Sequence, residues 1–198
     1  MGAANGRESL ETMLVNRALE ANAAGDYFPV WGTCKGYENL LNIVGKGNVL
    51  DFGFDAVDYA TPLRATNTGR MLADANASLL EWVANEPITY NNHGAGITPA
   101  HLASNSALSA FFDVLGVSND RGGRPMVELV QGKHSPIYGA QFHNEKIQFI
   151  PDSGQIKHIP KSAHAVAFAE YMGSFFVAEA RKNRHAGNGS APLAVDLS

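Results

Sequence analysis

The sequence predicts an α/β fold, and three observations carry that reading. In residues 9–21 (SLETMLVNRALEA), Leu10, Met13, Leu14 and Ala18 recur at helical spacing. Residues 27–31 (YFPVW) then form a short, nearly all-apolar run, the mark of a strand buried on both faces. Residues 32–36 break that run with two glycines, and residues 37–44 (YENLLNIV) return to a helical pattern. Helix, buried strand, tight turn and helix in succession are the units of layered α/β architectures.

The remaining elements follow in chain order. Residues 22–26 end the first helix with turn formers, Gly25 among them. Residues 75–83 read as a helix, and residues 107–115 as another or as a loop with helical turns. Residues 125–130 (PMVELV) and 137–142 (IYGAQF) read as strands closing a hairpin or a sheet edge. Over residues 162–181, apolar positions such as Ala165, Phe168, Ala169, Met172 and Phe176 mark a long amphipathic helix. Arg181, Lys182 and Arg184 near its end suit the negative pole of the helix dipole. Residues 1–186 are expected to form one domain and residues 187–198 a loose tail.

Composition narrows the classes. With 198 residues, 45% hydrophobic and 17% charged, the chain can bury a substantial core and does not match a disordered composition. A net charge of −4 provides no general attraction to nucleic acid or anionic membranes. No run approaches the roughly 18 apolar residues of a membrane span, and the first ten residues hold no apolar segment of a signal peptide. The single cysteine, Cys34, excludes an intramolecular disulfide and a multi-cysteine metal site. Two sequons, at Asn76 and Asn188, matter only in the secretory pathway.

That cysteine stands in Gly32-Thr33-Cys34-Lys35-Gly36, a glycine-flanked elbow with the nucleophile at its centre. A nucleophile on a sharp strand-to-helix turn occupies a strained backbone region, and flanking glycines remove side chains that would collide. The following helix directs its free N–H groups and positive pole at the thiol, which favours a thiolate. The same N–H groups, notably that of Lys35, can hold a developing oxyanion. The alternative is a buried, inert thiol beside a turn.

A thiol nucleophile needs a base and something to orient it. Of seven histidines (His93, His101, His134, His143, His158, His164 and His185), His143 follows the strand at 137–142, which would deliver it to the end of a sheet. Glu145 stands two positions on, where an extended chain would point it the same way. Gln141, two before His143, shares that face.

Several segments resemble the γ-glutamyl hydrolases, a branch of the class I glutamine amidotransferase-like group. They are Asp26-Tyr27-Phe28-Pro29-Val30-Trp31-Gly32-Thr33-Cys34 with Gly36-Tyr37-Glu38, then Asn92-His93 with Gly96-Ile97-Thr98-Pro99, and Gly139-Ala140-Gln141-Phe142-His143-Asn144-Glu145-Lys146. A closing stretch from Ile159-Pro160 to Arg181-Lys182-Asn183 is similar too, so the likeness spans residues 18–185. The resemblance implies a three-layer αβα sandwich and a Cys34–His143–Glu145 triad cleaving γ-glutamyl amides through a thioester. It implies folylpoly-γ-glutamates as substrate class, and no metal or organic cofactor. It also implies a lysosomal, vacuolar or extracellular setting and admits a homodimer. His93 enters as a substrate-site residue, binding the glutamyl end or assisting the histidine. The rival readings are the glutaminase domain of an amidotransferase and a non-catalytic paralogue.

Four departures from the family pattern matter. Lys35 stands where leucine is usual, its ammonium expected to point to solvent, and Asn144 replaces a proline. Ile147-Gln148-Phe149-Ile150 replaces an aromatic-Glu-Trp ending. Only 33 residues precede Cys34, where the family carries its first strands and a Gly-Gly oxyanion loop. The chain is therefore expected to lack the first βα units, with Gly2 a remnant of the glycine loop.

Overall fold

The computed structural model describes residues 9–185. In order, the elements are α1 (Leu10–Ala23), β1 (Val30–Thr33), α2 (Lys35–Gly45), β2 (Asp51–Thr61), β3 (Arg64–Ala65), α3 (Ala77–Asn85) and β4 (Thr89–Gly96). There follow α4 (Pro99–Ser104), α5 (Ser106–Phe111), β5 (Phe112–Asn119), β6 (Pro125–Gly132), β7 (Ile137–Ala140), α6 (Glu145–Phe149) and α7 (Ala163–Ala180). The tail beyond residue 186 and Gly2 lie outside the described residues.

A five-stranded sheet runs β1-β7-β6-β5-β3, and β2 pairs with β4 in a separate ribbon. The β1–β7 pair is parallel and the other pairs of the sheet are antiparallel. Apolar cores lie on both faces. One joins α1 and α2 to the sheet through Ala18, Tyr37, Leu41, Val130 and Ile137. The other joins α3 and α7 through Leu79, Leu129, Tyr138, Phe142 and Phe168. A central sheet between helical layers is the predicted α/β architecture.

Local chemistry sets the element ends. Ser9 and Ser162 cap α1 and α7 by accepting from Thr12 and Ala165 backbone N–H groups. The first strand is shorter and later than the apolar run suggested. Asn22 accepts from the Phe28 N–H and donates to the Phe28 carbonyl, at 2.9 and 2.7 Å, and Pro29 has no N–H to pair. Pairing therefore begins at Val30, whose N–H reaches Pro136 O at 3.0 Å. The strand is also only half-buried, with Gly32 alone fully enclosed, because β1 is an edge of the sheet among the described residues.

Two other expectations change. Residues 112–115, read as helix or loop, begin β5, since a short apolar run fits either period. The strand at 137–142 stops at Ala140, and the chain then bends, so Glu145 opens helix α6 instead of continuing an extended edge.

Candidate active site

The parallel register aligns Thr33 with Ala140, so the residues just past both strand ends come together on one side of the sheet. Cys34 follows β1 directly, its N–H donating to Ala140 O at 2.8 Å. Its backbone lies at φ 49°, ψ −103°, a region costing a non-glycine residue on the order of 1–3 kcal/mol. Gly32 permits the turn, because a Cβ there would stand 2.7 Å from the Gly36 backbone and from Leu40. Gly36 has no such constraint: a Cβ at that position meets nothing within 4 Å. Only the first flanking glycine is sterically required.

Cys34 caps the eleven-residue helix α2 without its side chain accepting from the helix backbone. The first-turn N–H groups of a helix have no intrahelical acceptor, so the backbone of Lys35 is available to an anion beside the sulfur. The Lys35 side chain is 73% exposed and pairs with Glu38 at 3.0 Å, which is the solvent-facing expectation.

On the other strand end, His143 N–H donates to Tyr90 O at 2.7 Å, and its Nδ1 meets Glu145 Oε1 at 2.6 Å. Burial opposes charge on this ring. Hydrogen bonding with Cys34 and Glu145 outweighs it and raises His143 to about 9. Glu145 is affected in the reciprocal sense: burial opposes its charge, but the bond to His143 holds it below the usual carboxylate range. Asn144, in place of proline, sits in ordinary helical backbone ahead of α6 and costs the site no geometry.

Gln141 is fully buried, with Nε2 3.9 Å from Cys34 Sγ and 3.4 Å from Glu38 Oε1. His93 arrives from β4, 5% exposed, with Nδ1 2.8 Å from Ala95 O and Nε2 3.1 Å from Asn91 Oδ1. Both ring nitrogens are thus engaged within the protein. Cys34, His143, Glu145, Gln141 and the backbone of Lys35 converge, and His93 stands behind them.

The sequence reading missed Glu38, Asn91 and Glu128. Glu38 is buried one helical turn after Cys34, its N–H donating to Cys34 O at 2.9 Å. The signal for it was present: i and i+4 share a helix face. Asn91, two before His93 on β4, and Glu128, on β6, were not marked as functional by the sequence around them. Among the described residues, no group of three or more His, Cys, Asp or Glu side chains is arranged to hold a metal ion. No described helix is long and apolar enough to cross a membrane.

No protein-family model matches the chain. Curated relatives do. γ-Glutamyl hydrolase B of Dictyostelium discoideum is 35% identical over 94% of this chain and 54% of its own length. The γ-glutamyl hydrolases of Bos taurus and Homo sapiens are each 36% identical, over 91% and 86% of this chain and 57% and 53% of theirs. A solved structure of a GMP synthase protein from Thermoplasma acidophilum aligns over 87% of this chain and 70% of its own. Its identity is 12% and its TM-score 0.43, too low to establish a shared fold. The chain is therefore a relative of the γ-glutamyl hydrolases over nearly its whole length, and it spans about half the length of the curated relatives it matches.

Proposed function

We propose that this chain carries the reaction centre of a cysteine hydrolase acting on γ-glutamyl amide bonds, with folylpoly-γ-glutamates as its substrate class. The observation that carries the reading is the junction of a strained Cys34 at a helix N-terminus with His143, whose ring hydrogen-bonds with Cys34 and Glu145 and is raised to about 9 by them. In this scheme His143 takes the thiol proton, the Cys34 thiolate attacks the γ-carbonyl carbon, and the carbonyl oxygen takes up negative charge facing the Lys35 N–H. His143 donates its proton to the leaving amine as the C–N bond breaks, which leaves a thioester on Cys34. Water then attacks the thioester and His143 accepts one of its protons. The C–S bond breaks to restore the Cys34 thiolate beside protonated His143, and the γ-carboxyl group leaves with its remaining proton released to solvent. Glu145 orients the imidazole and stabilises its charge.

The test uses the single cysteine. Complete labelling with iodoacetamide is expected to abolish release of glutamate from a γ-glutamyl peptide. Undiminished turnover by fully labelled protein would remove Cys34 from the mechanism.

A further inference from the structure

Behind Cys34 lies a cluster of polar groups that the hydrolytic scheme does not use. Glu128, on β6, is fully buried, and neither of its oxygens closes a hydrogen bond of normal geometry. Asn91 Nδ2 and Ser118 Oγ, buried beside it, are likewise unpartnered. The His93 ring completes the group, its Nε2 3.8 Å from Glu128 Oε1.

Proton bookkeeping orders this cluster. The carbonyl of Ala95 can only accept, so His93 Nδ1 carries a proton. Two arrangements then satisfy Nε2. In the first, His93 is an imidazolium donating to Asn91 Oδ1, while Asn91 Nδ2 faces an ionised Glu128. In the second, the ring is neutral. The Asn91 amide is turned over so that its NH₂ donates to Nε2, and its oxygen accepts from a protonated Glu128. The two hold the same number of protons and differ in the place of one of them and in a half-turn of an amide whose O and N have the same shape.

Burial selects the second. Holding two separated charges in a core carries a large desolvation penalty for each ion, which an uncharged network of the same bonds does not incur, although Ser118 and Asn91 could each donate to an ionised Glu128. Desolvation lowers His93 and raises Glu128 to about 8, in the same sense. The other titratable groups facing Glu128 and His93 are Tyr37 and Glu38 from α2, and His143. Tyr37 is held protonated by burial and donates to Val127 O at 2.9 Å, so it does not compete for Glu128.

We propose that Glu128, as an uncharged carboxylic acid, donates to Asn91, so that the Asn91 NH₂ faces His93 Nε2 and the ring is held neutral, making Glu128 and Asn91 positioning residues behind the catalytic pair. The benefit lies in the neighbouring charge. A protonated His93 would repel a protonated His143, whereas a neutral one lets His143 keep the proton it must deliver. The proposal rests on the reading of Cys34 and His143 as the reaction centre.

Imidazole ¹⁵N NMR on the full chain tests the state of the ring without any substrate. At pH 7 His93 is expected as a neutral ring with its proton on Nδ1, in wild type and in Glu128→Gln, whose carboxamide also donates to Asn91. In Glu128→Leu, which has no donor, Asn91 is free to turn its oxygen to Nε2, so the pH at which His93 takes up a second ring proton is expected to rise and the alkaline limb of γ-glutamyl hydrolysis to move at least threefold in proton concentration. A His93 imidazolium at pH 7 in the wild-type protein overturns the proposal, as does a His93 imidazolium in Glu128→Gln. If His93 behaves as expected but Cys34 reactivity ignores His143→Ala, the reaction-centre reading fails and the buried relay stands.

Discussion

His143 and Glu145 meet at 2.6 Å at the mouth of the site, whereas His93 and Glu128 stand 3.8 Å apart in the core behind it. The residue types are the same and the outcomes are opposite. Glu145 is half exposed, retains its charge, and draws a proton onto His143. Glu128 has no exposed surface, and desolvation pushes it towards the neutral acid while His93 is pushed towards the neutral ring. Water at the rim, and its absence in the core, decides whether a histidine and a glutamate become an ion pair or an uncharged network.

The largest effect should come from deleting the charged pair's base. His143→Ala is expected to lower γ-glutamyl hydrolysis by about 10²–10⁴-fold, the usual range for lost acid–base catalysis. Glu145→Gln should cost about 10–100-fold, the size of one charge-assisted hydrogen bond. His101→Ala and His185→Ala should leave the rate nearly unchanged, since their rings pair with Asp51 and Asp26. Steady-state rates on one γ-glutamyl peptide compare all four, and equal losses at the three histidines would dissolve the distinction.

A smaller effect concerns pH. Because the folded value of His143 is raised to about 9, its proton should be lost there, and hydrolysis should decline with an alkaline limb near pH 9. The linked stability is fully present below the ordinary histidine value of about 6.5 and disappears as pH rises through about 9. A pH–rate profile whose alkaline limb falls near 6.5 would show that the charged pair does not form.

The smallest effect sharpens the other half of the comparison. Glu128 holds a proton in the folded state between the ordinary glutamate value and about 8, where the unfolded chain does not, so its contribution to stability falls across that window. Glu128→Gln removes the titration. Its melting temperature relative to wild type should rise from pH 5 to pH 8, by about 2–4 °C for each kcal/mol regained. A pH-independent difference would mean that Glu128 is ionised, or neutral, throughout.

The same contrast explains what could be read from the sequence. The elbow was legible because its chemistry is local: an apolar run, a glycine, a cysteine and a helix. His143 with Glu145 was legible as a motif, yet proximity to a carboxylate is no discriminator. His101, His158, His164 and His185 also pair with carboxylates, and what sets His143 apart is Cys34, which only the sheet supplies. The ribbon of β2 and β4 went unread. Bulges and the positive φ of Gly53 and Asp58 break the alternation of β2, and the buried positions of β4 include polar Thr89, Asn91 and His93. A strand that buries polar side chains towards a site looks, in sequence, like a loop. Glu128 was hidden differently: one acidic residue in an otherwise apolar strand reads as an outward-facing position.

The parallel pairing of β1 with β7 has a further consequence, for the order of folding. Cys34 and Gln141 lie 107 positions apart, and a parallel pair cannot be closed by a tight turn. The helices on either side draw on local contacts, which form early, whereas the reacting pair waits on one of the longest loop closures in the molecule. Reactivity at Cys34 is therefore expected to recover behind helical content during refolding.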